Sequence, residues 1–379
     1  MARPLPSNSV FGKLAALNWL LPLLLLLLGT IGVLTIYSAS GGTWHLGAAK
    51  HLIRLLVGLV FMIIIALTDI RVWFSMAYPV FILAVLLLIG VAFFGVTING
   101  SQRWLDLGPV RIQPSELMKL ATVMALARFY HDLPAWRVSK PVGIFGAVVI
   151  VFLPAALILH EPDLGTALMV VATGIVMIFL AGISWRIILM ALGLAAVMVP
   201  AFFMFGLKDY QRERILTFLD PSRDPTGASY HIIQSKIALG SGGVSGKGFM
   251  QGTQSALKYV PENRTDFIFT VIGEEFGLVG GLLTMFLYIL VISVCFWLAL
   301  QVKTVFSRLL IFGMTTTFAL YVFINMAMVM GLAPVVGVPL PLISYGGTVM
   351  MTVFAGFGMM LSAYIHRDTE LPRGGGLRL

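Results

Sequence analysis

Apolar runs about twenty residues long, enough for a helix to cross ~30 Å of hydrocarbon, recur along almost the whole chain. They fall near 14–38, 50–68, 73–95, 115–130, 142–159, 164–181, 184–206, 267–300, 307–331 and 342–365. Between the seventh and eighth runs the pattern gives way to a polar island over 206–266. This predicts an all-α integral membrane protein: one polytopic domain over 1–379, about ten transmembrane helices, and one large extracytoplasmic loop, near 207–266, between helices 7 and 8. The leader before residue 14 is short and mildly basic. The run that follows is too long for a signal-peptide core and lacks a small-residue cleavage site, so it reads as a retained first span.

Composition agrees with the pattern. Hydrophobic residues make up 59% of the chain and charged ones 11%, against about 25% charged in soluble domains. A net charge of +9 raises the question of nucleic acid, but most cations sit at span ends, where anionic lipid headgroups are the nearer partners. Nucleic-acid binding is therefore set aside. Cys295 is the lone cysteine, so neither a disulfide framework nor a cysteine metal cluster is available.

Ten spans put both termini on one side. With the N terminus inside, twelve Lys and Arg residues fall in inner segments, against five (Lys50, Arg54, Arg103, Arg111 and Lys119) in short outer loops and their flanks. Short loops obey the positive-inside rule while a long one largely escapes it. Both termini are thus expected in the cytoplasm. The polar island, with 99–114, 160–163 and 333–347, is expected outside, where these segments are placed to converge on one cavity.

Asp266 closes the island. It sits where water-facing chain meets the eighth apolar run, so a carboxylate there keeps access to solvent while low-dielectric surroundings push its pKa upward. That suits a general base. At the head of the fourth span, Pro114 and Ser115 suit a helix start and Glu116 complements the helix dipole. Lys119, three residues on, shares its face. The two read either as a capping carboxylate with an intrahelical ion pair or as groups lining a substrate pathway, as ionisable residues entering an apolar helix usually do.

Other polar motifs carry open readings. Glu161 and Asp163 form an acidic turn in which Asp163 suits the N-cap of the sixth span. A role in holding magnesium or manganese has no second ligand cluster at recognisable spacing. Arg212 and Arg214 supply a basic cluster. Residues 230–239, with Gln234 and Ser235, have amphipathic helical spacing and read as a surface helix compatible with lining a lipid-substrate groove. The Gly-rich stretch 240–248 fails the nucleotide-loop pattern, because Ser241 stands where a glycine is required and Gly248 follows Lys247. It reads equally as a plain turn or as backbone that wraps a phosphate or sugar. Glu274 and Glu275 rank below Asp266, as packing or proton-pathway residues. The proline-rich 333–347 reads as a tight hairpin or as broken backbone lining a cavity.

Five motifs then recur in a known order over nearly the whole chain. They are Arg103-Trp-Leu-Asp with Gln113-Pro-Ser-Glu116, Glu161-Pro-Asp163-Leu-Gly-Thr, Gln234-Ser-Lys-Ile-Ala-Leu-Gly-Ser-Gly-Gly243, Pro261-Glu-Asn-Arg-Thr-Asp266-Phe-Ile-Phe and Pro339-Leu-Pro-Leu-Ile-Ser-Tyr-Gly-Gly347. In these the chain resembles the SEDS family (shape, elongation, division and sporulation), peptidoglycan polymerases of the bacterial cytoplasmic membrane. Residues 247–255 and the short N terminus look like the elongation branch rather than the division branch. One departure is Glu161, where related proteins often carry Gln before Pro.

The resemblance implies polymerisation of lipid II into glycan strands on the outer face, with release of undecaprenyl pyrophosphate. It places the family's essential aspartate on Asp266 and its functionally important Glu and Lys on Glu116 and Lys119. It also implies a class B penicillin-binding protein as partner. Such a transfer inverts the anomeric carbon by direct displacement, so one base suffices, contributing ~10²- to 10⁴-fold. Arg212, Arg214, Lys119 and a divalent cation (Mg or Mn) are candidates for the leaving pyrophosphate. Glu116, Gln234 and Ser235 complete the substrate-binding set. Two rival readings are a lipid II flippase, which calls for charges spread through the membrane depth and an alternating-access repeat, and a non-catalytic scaffold of the elongation machinery.

Overall fold

The computed structural model describes residues 9–98, 101–106, 108, 111–161, 163–206, 212–213, 216–218, 220, 228–253 and 264–373. The described chain is mostly helical: α1 (Val10–Ala16), α2 (Leu20–Ala39), α3 (Ala48–Leu67), α4 (Ile70–Phe94), α5 (Pro114–Asp132), α6 (Pro141–His160), α7 (Leu164–Leu180), α8 (Trp185–Phe205), α9 (Ala228–Ser241), α10 (Ile268–Gln301), α11 (Val305–Val329) and α12 (Gly347–Ile365). Eight of the described helices are long and apolar enough to cross a membrane: α2, α3, α4, α6, α8, α10, α11 and α12. Their outward faces carry large exposed apolar side chains such as Phe61, Phe93, Phe145, Phe205 and Phe286, as a helix facing lipid requires.

The first predicted span is broken into α1 and α2, with Leu17 extended between them. Pro22 explains the break: its ring would clash with the carbonyl one turn earlier and it has no N–H to offer, so the helix restarts just before it. A second departure from an all-α reading is a small antiparallel sheet of β1 (Val96–Ile98), β2 (Ser101–Asp106) and β3 (Arg111–Ile112), in the order β1-β2-β3. Ile98 pairs with Ser101 at the end of the first strand pair.

Helix α5 is the centre of the bundle, packing against α4, α6, α7, α11 and α12. Every residue from Pro114 to Ala127 except Leu117 is buried. Because it faces protein on nearly all sides, it can carry Glu116 and Lys119 where a lipid-facing helix could not. Helix α8 is the opposite case, with no buried residue described along its length.

The proline-rich segment before α12 is not a tight hairpin. It folds into the bundle, with Leu340, Leu342 and Ile343 buried, and its irregular backbone is satisfied by side chains. Tyr288 Oη donates to Pro341 O at 2.6 Å, the Leu340 N–H donates to Ser344 Oγ at 2.8 Å, and His51 Nε2 lies 2.9 Å from Leu342 O. Non-helical backbone at this depth survives where such partners exist.

Candidate functional site

One end of the bundle gathers the polar groups. Asp266 lies in the turn that enters α10, and the turn is gripped through its main chain. Asn325 Nδ2, from α11, donates to Asp266 O at 2.7 Å; Ser344 Oγ donates to Thr265 O at 2.5 Å; and the Tyr345 N–H donates to Arg264 O at 2.8 Å. The Asp266 carboxylate faces the proline-rich segment at Gly337, where an added Cβ would stand 3.4 Å from Oδ2. Gly337 has φ +71°, a conformation open to glycine at little cost.

One turn deeper lies a buried cluster around Glu116. Lys119 Nζ donates to Glu116 Oε1 at 2.7 Å, and Tyr321 Oη donates to Glu116 Oε2 at 2.5 Å while accepting from Lys119. Thr352 Oγ1, from α12, donates to Glu116 Oε2 at 3.3 Å. The ion pair expected from the i, i+3 spacing is therefore present, but inside the protein. Each charge is matched and hydrogen-bonded, the condition for a buried pair to be tolerated. Beneath it a cavity of about 30 Å³ opens between α5, α11 and α12, polar at Glu116, Lys119 and Tyr321 and apolar at Phe318, Phe357 and Met360.

The third acidic group is the turn between α6 and α7. Asp163 caps α7, accepting from the Thr166 N–H at 3.1 Å and from Thr166 Oγ1 at 2.9 Å. Gln113 Nε2 reaches it at 3.4 Å and Arg103 Nη1 at 3.7 Å, while Arg103 Nε donates to Glu161 O at 3.2 Å. Glu161 differs: it is buried, and neither carboxylate oxygen has a hydrogen-bond partner among the described residues. Burial, reinforced by the Asp163 charge and opposed by Arg103, pushes its carboxyl up to about 8. A Cβ on Gly165 would stand 3.1 Å from Val336 O, so residues 336 and 337 separate the α7 cap from Asp266.

The Gly-rich stretch 240–248 serves as structure. Helix α10 is broken at Gly277 (φ 63°, ψ −157°), and the glycine backbone docks into the break. Lys247 N–H and Gly248 N–H donate to Glu274 O and Glu275 O at 3.0 and 2.9 Å, and Leu278 N–H returns to Gly243 O at 2.9 Å. Side chains on Gly246 or Gly277 would collide with the facing backbone. Glu274 pairs with Lys247 at 2.8 Å, and Glu275 accepts from Ser38. Both glutamates are packing partners of this joint.

The remaining sequence candidates are dispersed. Ser235 is buried on α9 beside Ile232 and Ala238 and donates to Val329 O, so it faces protein. Gln234 is half-buried on the same helix. Arg212 lies over the Phe203 ring at 5.6 Å, and no described contact joins it to Asp266. Arg214 lies outside the described residues. Sequence reasoning missed Tyr321, Asn325, Gly337 and Thr352. Tyr321 and Asn325 did carry a signal: two polar side chains four apart in an apolar span share one face, and such residues rarely face lipid.

Among the described residues no group of three His, Cys, Asp or Glu is arranged to hold a metal ion. The acidic turn is a poor match for a divalent cation, because Asp163 already has a guanidinium beside it and Glu161 is pushed toward its neutral form.

Comparisons with known proteins identify the family and the fold. The family model for the FtsW, RodA and SpoVE cell cycle proteins matches residues 18–369. The chain is 44% identical over 363 residues to the peptidoglycan glycosyltransferase MrdB of Escherichia coli (strain K12), covering 96% of this chain and 97% of that protein. It superposes with TM-score 0.81 and 31% identity on a chain of a peptidoglycan synthase complex that coordinates polymerization and crosslinking, over 93% of this chain and 99% of that one. For the rod shape determining protein RodA of Thermus thermophilus the values are 0.69 and 27%, over 93% and 98%. The chain belongs to the FtsW, RodA and SpoVE family, the SEDS proteins, and is a multi-pass membrane protein.

Proposed function

We propose that Asp266 is the general base of an inverting glycosyl transfer that polymerises lipid II. The chain is a peptidoglycan glycosyltransferase of the RodA type, the activity named for its relative at 44% identity. In the transfer, the 4-hydroxyl of the acceptor sugar attacks the anomeric carbon of a lipid-linked donor. Its oxygen forms the new bond, the carbon–pyrophosphate oxygen bond breaks, and undecaprenyl pyrophosphate leaves with the electron pair. Asp266 takes the hydroxyl proton, worth ~10²- to 10⁴-fold. The observation that carries this reading is that the Asp266 turn is tied by α11 and by the segment before α12, the preorganisation a base requires.

Pyrophosphate is a good leaving group, so nearby cations matter more than a general acid. Arg212, Arg214 and Lys119 are candidates from sequence. Lys119 is already matched by Glu116 inside the bundle and suits a supporting role, while Arg103, also paired but partly exposed at the α7 cap, is nearer to solvent. Gln234 fits the rim of a lipid groove along α9.

We read α5 and α7 as further spans, bringing the crossings to ten. Helix α5 has too many polar residues, and α7 with 17 residues too few in all, to qualify on length and composition. Both run beside full-length spans inside the bundle. Ten crossings put both termini on one side, and the Lys and Arg bias of the short loops favours the cytoplasmic side of a bacterial inner membrane, with Asp266 and the loop before it outside. The structural match to a synthase complex coupling polymerization and crosslinking supports a class B penicillin-binding protein as partner.

The test uses purified protein, alone and with a class B partner, incubated with lipid II. Polymer on a gel is the expected result. Translocation of lipid II in sealed vesicles without polymer would instead establish the flippase, and neither activity would leave the scaffold.

A further inference from the structure

Two polar side chains on α11 take no direct part in the transfer. Tyr321 Oη accepts from Lys119 and donates to Glu116 Oε2 at 2.5 Å. Asn325 Nδ2 donates at 2.7 Å to Asp266 O and at 2.7 Å to Val338 O. Both residues are buried. Four residues along a helix amount to ~6 Å of rise and return to the same face, so one rigid rod grips both acidic centres within a single turn.

The amide of Asn325 has only one workable orientation. Turned over, its oxygen would face two carbonyl oxygens and both hydrogen bonds would become repulsions. Its two N–H groups bridge the chain just before α10 and the segment just before α12. The second anchor, Val338 O, adjoins Gly337, which the Asp266 carboxylate faces. Asn325 therefore fixes Asp266 relative to the backbone surface beside it.

We propose that Asn325 is a positioning residue for Asp266, and that Tyr321 ties this position to the Glu116–Lys119 pair, so that α11 sets the register between the two centres. This rests on the reading of Asp266 as the base. Through α11, a change at the buried pair alters turnover without either residue touching substrate.

The experiment measures kcat and KM for lipid II polymerisation, together with the unfolding temperature, on the purified complex with its class B partner. The variants are Tyr321→Phe, Asn325→Ala and the double variant. Each single change is expected to lower kcat about tenfold or more, since misplacement of about 1 Å costs up to ~10²-fold, with KM within about threefold of wild type. The double variant is expected to be little slower than the slower single, the non-additivity of groups acting through one element. Unchanged kcat with a lowered unfolding temperature, an effect on KM alone, or losses that multiply would each overturn the proposal.

If Asn325→Ala does not fold, Tyr321→Phe still decides, because it removes one oxygen and leaves the Lys119–Glu116 contact in place. Asp266→Asn run alongside separates two failures. An active Asp266→Asn protein removes the base and this proposal together. An inactive one beside normal Tyr321→Phe kcat removes only the positioning role.

Discussion

Glu116 and Asp266 are both carboxylates held by α11 at one end of the bundle, and they are held in opposite ways. Glu116 is gripped by its side chain, its two oxygens engaged by Lys119, Tyr321 and Thr352. Asp266 is gripped by its backbone, through Asn325 and the neighbouring contacts of Thr265 and Arg264. A carboxylate whose oxygens are committed inside protein is a structural charge. A residue whose turn is fixed through its main chain is held in a defined place, which is what the proposed role of Asp266 as a base requires.

The largest effect is expected from breaking the side-chain grip. Glu116→Ala leaves Lys119 as a buried, unmatched cation, which should cost about 3–5 kcal/mol of stability, read as a lower unfolding temperature in detergent. Changing Glu116 and Lys119 together to Ala and Met removes the stranded charge and should recover most of that loss. If the single and double variants unfold alike, Glu116 is not matched to Lys119 as described.

Glu161 is the contrasting third carboxylate, buried with neither oxygen satisfied. Its carboxyl is raised in the folded protein from 4.5 to about 8, so the unfolded chain loses this proton first as pH rises. Stability from this group is then complete below pH ~4.5 and declines as pH rises through 8. Glu161→Gln, which places here the residue often seen in relatives, should raise the unfolding temperature at pH 8 by a few degrees, on the order expected for ~1–2 kcal/mol. The advantage should vanish toward pH 4. A difference independent of pH would show that the Glu161 carboxyl titrates alike in the folded and unfolded chain.

Gly337→Ala probes the space beside Asp266 and should cost a similar amount of stability, about 1–2 kcal/mol for a non-glycine residue at φ +71°. The new methyl lies against Oδ2, so polymerisation should fall about tenfold more than unfolding can explain. Turnover of the folded protein equal to wild type would place the reacting group elsewhere.

The hydrophobic period made most of the helices legible, because twenty apolar residues have one low-energy solution in lipid. The breaks within the spans were harder to read. The restart at Pro22 depends on a first turn that could have begun further upstream, and the bend at Gly277 exists because residues 243–248 dock there, a contact between distant sequence segments. The Asp163 cap and the Glu116–Lys119 pair were legible in sequence, and Asp266 stands out there because its polar character conflicts with the apolar run that follows. Tyr321 and Asn325 were harder, since a tyrosine and an asparagine in a span suggest a shared face but not which carbonyls or charges they meet. The amphipathic spacing around Ser235 identified the helix but not the partner of its hydroxyl, which donates to Val329 O.

The central claim is that Asp266 accepts the proton and does not merely bind substrate. The most direct test is Asp266→Asn in the purified complex, measuring lipid II binding and polymer formation on the same preparation. The account predicts binding within a few-fold of wild type and polymerisation reduced by ~10²-fold or more. Near-normal polymerisation, or a loss explained entirely by weaker binding, would contradict it.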